Sequence, residues 1–510
     1  MSSAAPAPIA PLAPLTRILV LAVAAIGFLF DTYELLMFPV IGADALAELL
    51  NKPAVSDEVR LWTGRMLWIA ALCGGAFGLL GGFLIDRLGR KRVMIASILL
   101  YSLSPVAASF STELWHLVLF RCTTFIGVCV EMVAAVTWLA ELFDDKRTRE
   151  LVIGWTLACA SLGGIFVTEV YNEILSAAKT PGTLPHIQFP EGHKPDNVAW
   201  RYTLLTGLVP GALILLLLPF VPESRVWAQR KASGTLRRPR FGELFSPELR
   251  RTTIVTALLS ACAYAAAFGA LQLTPAQIAP GLPDLAEKQK PIVAEKAKIK
   301  EREDLLKTQT GDDLAKGKAM VEEAKKKLGG QEKELGQEVK ARRGNIQRWQ
   351  ELGGLTGRIL FAVLLIFLPS RMLLRLFLIP GIFLFPLTYL ELVKGDYAIF
   401  ATAIFFCGLL TVAQMSYMSE FLPRVFPVHL RGTGGAFATN VGARMLGTMA
   451  ATFNTEFLST YYEGSNPMKV ATAAAIIGGT VYLFAFALSF LLPVPKDEAI
   501  TPAPIGPDAG

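Results

Sequence analysis

Residues 82–92 read Gly-Phe-Leu-Ile-Asp-Arg-Leu-Gly-Arg-Lys-Arg and lie between two long apolar runs. Gly82 allows two helices to approach closely, and Asp86 can cap a helix end or pair there. The cations that follow suit a membrane surface facing the cytoplasm. A loop that only set topology would need the cations but not Gly82, Asp86 and Gly89. The stretch therefore indicates a structured turn between two membrane helices.

Apolar runs of about 18 to 25 residues recur from Ile18 to Leu492, and each can cross about 30 Å of hydrocarbon as a helix. The 510 residues are 53% hydrophobic, with a mean hydropathy of +0.46. Lipid-buried backbone must satisfy its own hydrogen bonds, so the predicted fold is an all-α membrane protein. Twelve transmembrane helices are predicted, roughly at 17–39, 61–85, 93–110, 114–143, 149–171, 201–221, 252–273, 352–369, 372–391, 397–421, 432–459 and 469–492.

The excess positive charge is a topology signal. The net charge is +7, and cations cluster in the short connections on one side and in the long connection after helix 6. The positive-inside rule then predicts cytoplasmic termini and a multi-pass protein of the plasma membrane, a bacterial inner membrane being favoured. Nucleic acid is not a predicted partner. All six cysteines fall inside apolar runs without metal-ligand spacing, so no metal or cofactor is predicted.

The helices divide into two six-helix pseudo-repeats around the central basic connection, a layout that many secondary transporters share. Thr63-Gly64-Arg65 and Thr356-Gly357-Arg358 open equivalent helices of the two halves. The predicted domains are a disordered cytoplasmic tail (1–16), an N-terminal bundle (17–221), a cytoplasmic linker (222–251), a C-terminal bundle (252–280 and 352–494), an insert (281–351) and a second cytoplasmic tail (495–510).

The insert at 281–351 is hydrophilic and carries apolar residues at heptad-like spacing. Leu285, Ile292, Ile299 and Leu306 repeat every seventh residue, and a similar stripe follows a polar turn at 308–313. This pattern predicts an extramembrane, coiled-coil-like hairpin of two antiparallel helices between helices 7 and 8, outside the cytoplasm. Such a hairpin could bind an extracytoplasmic protein partner.

The turn at 82–92 resembles the signature loop of the major facilitator superfamily, G-x-x-x-D-R-x-G-R-K/R. Trp200-Arg201 with Pro222-Glu223-Ser224 resembles the branch that holds sugar porters and the metabolite:proton symporters for sialate and other carboxylates. The stretch 423–444 resembles the same symporters, except that Arg424 replaces their glutamate. Helix 7 lacks the double-glutamine motif of sugar porters, and the second signature loop near Arg371 has lost its aspartate and glycines.

The resemblance implies a gate at the cytoplasmic ends of the helices. Charge networks there would hold the inside closed while the outside is open. The gating residues that it implies are Gly82, Asp86, Arg87, Gly89, Arg90, Lys91, Glu141, Arg149, Glu420 and Arg431.

Four charged residues at membrane depth are candidates for proton coupling, because an unpaired charge there costs several kcal/mol. Asp31 and Arg121 reach similar depth by helix rise, which allows a pair that a proton could break. A permanent structural ion pair is the alternative. Glu131 is either a second protonation site or a structural partner, and Glu34 is expected near the outer mouth.

Arg444 lies twelve residues into predicted helix 11, near the membrane midplane, with Asn440 one turn away. A guanidinium there suits a carboxylate substrate, although Arg444 could instead pair internally. Tyr264, Gln414 and Tyr417 are further candidates for the substrate cavity. Packing is the alternative role for the two tyrosines.

These features favour a proton-coupled symporter of a small organic anion, a carboxylate or an acidic sugar, which works by alternating access as a monomer in the lipid bilayer. A facilitator or exporter of a neutral solute is one alternative. Another is a sensor or scaffold without transport that uses the external hairpin to bind a partner. The sequence contains no nucleophile–base, metal or phosphate-loop pattern of an enzyme.

Overall fold

The computed structural model describes residues 13–142, 146–180, 182–190, 197–232, 241–306, 312–427 and 430–493. Regular secondary structure in these ranges is helical throughout. The helices are α1 (Pro14–Leu49), α2 (Asp57–Leu88), α3 (Arg90–Ser109), α4 (Leu114–Leu142), α5 (Lys146–Ala177), α6 (Ala199–Leu205), α7 (Leu208–Leu217), α8 (Arg225–Ala232), α9 (Arg250–Gly269), α10 (Pro283–Leu306), α11 (Asp312–Leu364), α12 (Ser370–Leu390), α13 (Tyr397–Val425), α14 (Arg431–Phe437), α15 (Thr448–Thr452) and α16 (Asn466–Ser489).

Eight helical segments within the described ranges are long and apolar enough to cross a membrane. A helix pairs its backbone N–H and C=O groups internally, and apolar side chains cover its surface, which is what a lipid environment requires. The eight segments are Pro14–Leu49, Asp57–Gly81, Arg90–Ser109, Leu114–Leu139, Arg250–Gly281, Ser370–Lys394, Tyr397–Ser419 and Asn466–Ser489.

Several predicted helices differ from those in the structure. The first helix does not end at Pro39 but continues to Leu49, because one proline removes a single hydrogen bond while the buried residues after it keep packing. The predicted helix 201–221 is divided into α6 and α7. The predicted helix 432–459 contains π-helical segments at Ala438–Gly447 and Phe453–Phe457.

The helices pack in two neighbouring sets. In the first part of the chain α1 packs on α5, and α4 packs on both α2 and α3. In the second part α11 packs on α13, α12 packs on α16, and α9 packs on the π-helical segment Ala438–Gly447. Gly353 and Gly357 bring α11 against the backbone of α13, since a Cβ at either position would meet the carbonyl oxygen of Phe405 or Leu409.

Helices α10 and α11 pair side by side in the hydrophilic insert. Ile292 and Ile299 of α10 form an apolar cluster with Val321 and Leu328 of α11. Ion pairs between the helices run in opposite chain directions, as antiparallel packing requires: Asp284 with Arg342, Lys288 with Glu338, Lys296 with Glu332 and Glu303 with Lys325.

Helix α11 then continues unbroken from the insert into an apolar stretch that ends at Leu364. We call the end of the bundle that carries the insert the insert end. The opposite end, which carries residues 87–92, is the basic-loop end.

Candidate functional site

Two carboxyl groups of α1 and α4 lie together in the middle of the bundle. Asp31 and Glu131 are 7% and 1% exposed, and their carboxyl groups are within hydrogen-bonding reach of each other. Gly27, one turn before Asp31, makes the room, because a Cβ there would lie 2.8 Å from Glu131 Oε1. Neither oxygen of Asp31 accepts a hydrogen bond from an N–H or hydroxyl group of the described residues. Two carboxyl groups this close are stable when at least one carries a proton.

Arg444 brings a positive charge to this acid pair from the second part of the chain. Its guanidinium is buried, interacts electrostatically with Asp31 and lies beside Tyr264. Nη1 donates a 2.7 Å hydrogen bond to Asn440 Oδ1, and Nη2 donates to Met132 Sδ of α4 at 3.3 Å. Arg444 thus spans the gap between the two sets of helices.

Asn440 and Arg444 both lie in the π-helical segment Ala438–Gly447. A π-helical turn is widened locally and often occurs at functional sites. Gly75 and Gly78 of α2 accommodate this wide segment, since Cβ atoms there would lie 2.9 Å from Asn440 O and 2.8 Å from Asn440 Oδ1. The segment is therefore held directly against the first set of helices.

The predicted pair of Asp31 with Arg121 is wrong, because Arg121 has other partners. Its guanidinium donates to the backbone carbonyls of Glu34 at 2.7 Å and Leu35 at 2.8 Å and interacts with the Glu34 carboxylate. Helix rise gives depth but not direction around the axis, and Arg121 faces the turn after Asp31. Glu34 is 0% exposed in this structure, and its expected position near the outer mouth stays a prediction.

The remaining candidates for the substrate cavity differ in surroundings. Tyr264 packs against Phe268 with the rings tilted and 5.6 Å between their centroids, and it adjoins Arg444. Gln414 is 2% exposed, and its amide has no hydrogen-bond partner in the described part of the chain. Tyr417 is stacked on Phe421 at 5.0 Å, as a packing residue would be.

A charge network joins α2, α3, α4 and the chain before α8 at the basic-loop end. Arg90 Nη2 lies 2.7 Å from Glu141 Oε1, and Glu141 Oε2 accepts from Ser224 Oγ at 2.5 Å. The Glu223 carboxylate accepts the backbone N–H groups of Arg90 and Lys91 at the start of α3. A carboxylate at a helix N-terminus is favoured by the exposed N–H groups.

Gly89 makes this arrangement possible. Its φ of +102° is one that other residues rarely adopt, and a Cβ there would lie 2.6 Å from Glu223 Oε2. Glu223 and Ser224 were not among the predicted gating residues, although the sequence 222–224 matched the pattern of the symporter branch. Lys91 Nζ donates to Val221 O at 2.8 Å, and Arg87 is exposed.

Several predicted gating residues are placed only by their backbone. Gly82 and Asp86 lie in α2, Arg149 in α5, Glu420 in α13 and Arg431 at the start of α14. Their side chains lie outside the described part of the structure.

Two charged pairs, one buried and one partly exposed, link the two sets of helices at the insert end, and the sequence prediction missed them. Asp44 of α1 accepts from Arg343 of α11 at 3.0 Å and from Tyr171 of α5 at 2.9 Å. Arg343 and Asp44 have side chains only 4% and 5% exposed. Arg348 of α11 forms a two-pronged pair with Glu169 of α5, with both distances 2.5 Å.

Further contacts close the same end between α2 and the chain that follows α15. Arg60 donates to Ser459 Oγ at 2.6 Å and to Thr455 O. Arg65 pairs with Glu456. In the structure described, the two sets of helices are therefore in contact at the insert end.

The family model described as Major Facilitator Superfamily matches residues 2–287. A 3-(3-hydroxyphenyl)propionate transporter of Escherichia coli (strain K12) is 28% identical over 220 residues, which are 42% of this chain and 48% of that protein. A sialic acid transporter of the same strain is 26% identical over 208 residues, 41% of this chain and 44% of that protein. These matches span about half the length of the curated relatives.

The fold is also similar to solved structures. A crystal structure of a D-xylose–proton symporter superposes with a TM-score of 0.61 at 15% identity, covering 94% of this chain and 98% of that one. At this identity the likeness shows the fold alone.

Proposed function

Because the chain belongs to the Major Facilitator Superfamily, a family of membrane transporters and not of enzymes, we propose that it is a proton-coupled symporter that imports a small organic anion by alternating access. The match of the family model confirms the resemblance drawn from the signature loop at 82–92. The anion, the proton and the direction of transport are the proposed parts.

One observation carries this proposal: an acid pair in the first set of helices faces an arginine of the second set. Asp31 and Glu131 need a proton to lie together, and Arg444 offsets part of their charge. Relatives named for the transport of a propionate and of sialic acid, both carboxylic acids, support an anion as the substrate.

The arrangement gives a mechanism in which the anion and the proton bind together. A substrate carboxylate takes hydrogen bonds from Arg444, and Asn440 orients that arginine. Once the anion neutralises Arg444, the positive charge that favoured an ionised Asp31 is gone, so the acid pair takes up a proton. The loaded site is then close to neutral, which lowers the cost of moving the two sets of helices past one another.

The two ends of the bundle supply the gates of this cycle. The cations of the loop at 87–92 support a basic-loop end that faces the cytoplasm, where both termini would also lie. The insert, at the opposite end, would then be extracytoplasmic. In this assignment, contacts such as Asp44 with Arg343 close the outer side. Twelve spans in two six-helix bundles, with the insert as an outer helical hairpin, complete the proposed topology.

Uptake into proteoliposomes tests the proposal. The panel contains 3-(3-hydroxyphenyl)propionate and sialate as anions and D-xylose as a neutral solute, each with and without an inward proton gradient. We expect an anion to accumulate only with the gradient. Equal uptake after the gradient is collapsed, or accumulation of the neutral solute alone, would overturn the proposal.

Asp31→Asn combined with Glu131→Gln separates coupling from binding. This double variant keeps the shapes of both side chains but has no proton to release, so it should exchange labelled for unlabelled anion at a near-normal rate and lose accumulation. Arg375→Lys is the control, because Arg375 of α12 lies over the Phe490 ring, 4.0 Å from its centroid, and is not part of the proposed site.

A further inference from the structure

Glu351 is a buried acid of α11 at the insert end whose partners are all amides. The residue is 9% exposed, and its Oε1 accepts from Gln347 Nε2 at 2.7 Å and from Gln350 Nε2 at 3.3 Å. Gln272, from the turn after α9, faces the same carboxyl group and accepts from Gln347 at 3.4 Å. Amides orient a carboxyl group without neutralising it.

The other acids buried at this end each have a cation. Asp44 pairs with Arg343, and Glu48 pairs with Arg201 at 2.9 Å. Around Glu351, no described cation provides that compensation. A buried carboxylate without a counter-ion is costly, and the group avoids that cost by holding a proton.

Charged and titratable groups on the helices packed against α11 have partners of their own. Asp44 and Glu48 of α1 pair with Arg343 and Arg201, Glu169 and Glu173 of α5 face Arg348, Asp284 of α10 pairs with Arg342, and Tyr397 of α13 lies under Arg342. The described turn between α9 and α10 that carries Gln272 contributes no charged group.

The Glu351 carboxyl group also lies at the contact between the two sets of helices. A Cβ at Gly164 of α5 would clash with Glu351 Oε2 and lie 2.8 Å from a methyl group of Leu36. Gly164 thus leaves space for the carboxyl group, and α5 covers it. Separating α5 from α11 would remove the cover and expose the group to water.

We propose that Glu351 is a further proton-carrying residue of the transport cycle, in addition to the central acid pair. It is neutral while the insert end is closed and ionised when that end opens. The proposal rests on the proposed alternating access. Because the closed state favours the bound proton, lowering the pH favours closure and raising it favours opening. A single such group changes the ratio of closed to open molecules by at most about tenfold per pH unit.

Spin-label distances at the insert end test this directly. Labels replace Lys179, after α5, and Lys394, after α12, in a protein whose native cysteines are alanine; both lysines are exposed. The background carries Asp31→Asn and Glu131→Gln, which silences the central acid pair. We expect the short-distance population to grow between pH 8 and pH 5, and Glu351→Gln to abolish this change and keep the end closed.

The control and a second variant make the outcome decisive. Glu169→Gln weakens the pair with Arg348 and should shift the population while its pH response remains. Glu351→Asp keeps a titratable group, so the response should persist with a shifted midpoint. A pH response that survives Glu351→Gln, or a background protein without any response, would overturn the proposal. If the unmodified protein shows no gradient-driven uptake, that result would count against the proposed function instead. The distance measurement needs no transport, so the two failures can be told apart.

Discussion

Arg444 shows what could and could not be predicted at the scale of single residues. Its position near the middle of a late helix, one turn from Asn440, was sufficient to nominate it. The pair of Asp31 with Glu131 was not predicted, because counting residues along separate helices gives depth and leaves the direction of each side chain open. Gly27, one turn before Asp31, carried the missing signal: it makes room for a side chain from α4.

Replacing Arg444 by lysine should weaken anion binding about tenfold, or about 1.4 kcal/mol. Lysine keeps the charge but lacks the planar guanidinium group, which donates to Asn440 and Met132 in this structure. Only the guanidinium group can bind a carboxylate with two parallel hydrogen bonds. Equilibrium binding to purified protein measures this, with Arg375→Lys as the control. Unchanged affinity in Arg444→Lys would mean that the carboxylate binds elsewhere.

At the scale of elements, long apolar helices were predictable and their irregularities were not. Apolar length determines that a segment spans a membrane, so α2, α4 and α13 correspond closely to the prediction. The π-helical segment at Ala438–Gly447 depends on how α2 and α9 pack around it, and this is information that the segment's own residues do not contain. The continuation of α1 past Pro39 likewise depends on how the residues after the proline pack against other helices.

Two glycines of the same helix should respond oppositely to alanine. At Gly357 of α11 a Cβ would clash with the Leu409 carbonyl oxygen, so Gly357→Ala should destabilise by about 1–3 kcal/mol through overpacking. At Gly329, also in α11, the Cβ would meet no atom within 4 Å, so Gly329→Ala should be neutral or stabilising by up to about 1 kcal/mol. Thermal unfolding in detergent compares them. Equal effects would contradict the close packing of α11 on α13.

At the scale of the whole molecule, the family and the membrane class followed from residues far apart in the chain. Contacts between the two sets of helices were harder to predict, because they join residues hundreds of positions apart. Asp44 and Arg343 are an example: neither residue lies in a recognisable motif, and their pairing exists only once α1 and α11 meet.

The Asp44–Arg343 pair should stabilise the closed insert end. Arg343→Met leaves Asp44 buried with only Tyr171 and Lys340, the latter at 3.7 Å, so the closed state should lose up to about 3–5 kcal/mol. The labels at positions 179 and 394 should then report a longer mean distance. Adding Asp44→Asn should restore part of the closure, since no uncompensated charge remains. A double variant as open as Arg343→Met would contradict this role.

The most direct test of the central claim is the movement of protons that accompanies the anion. Proteoliposomes in a weakly buffered medium receive the anion of the panel that gives the largest uptake, and a pH indicator follows the external solution. The account predicts alkalinisation that develops together with uptake in the wild-type protein and is absent in the Asp31→Asn, Glu131→Gln double variant and in empty liposomes. Uptake of the anion by the wild-type protein with no change in external pH would contradict it.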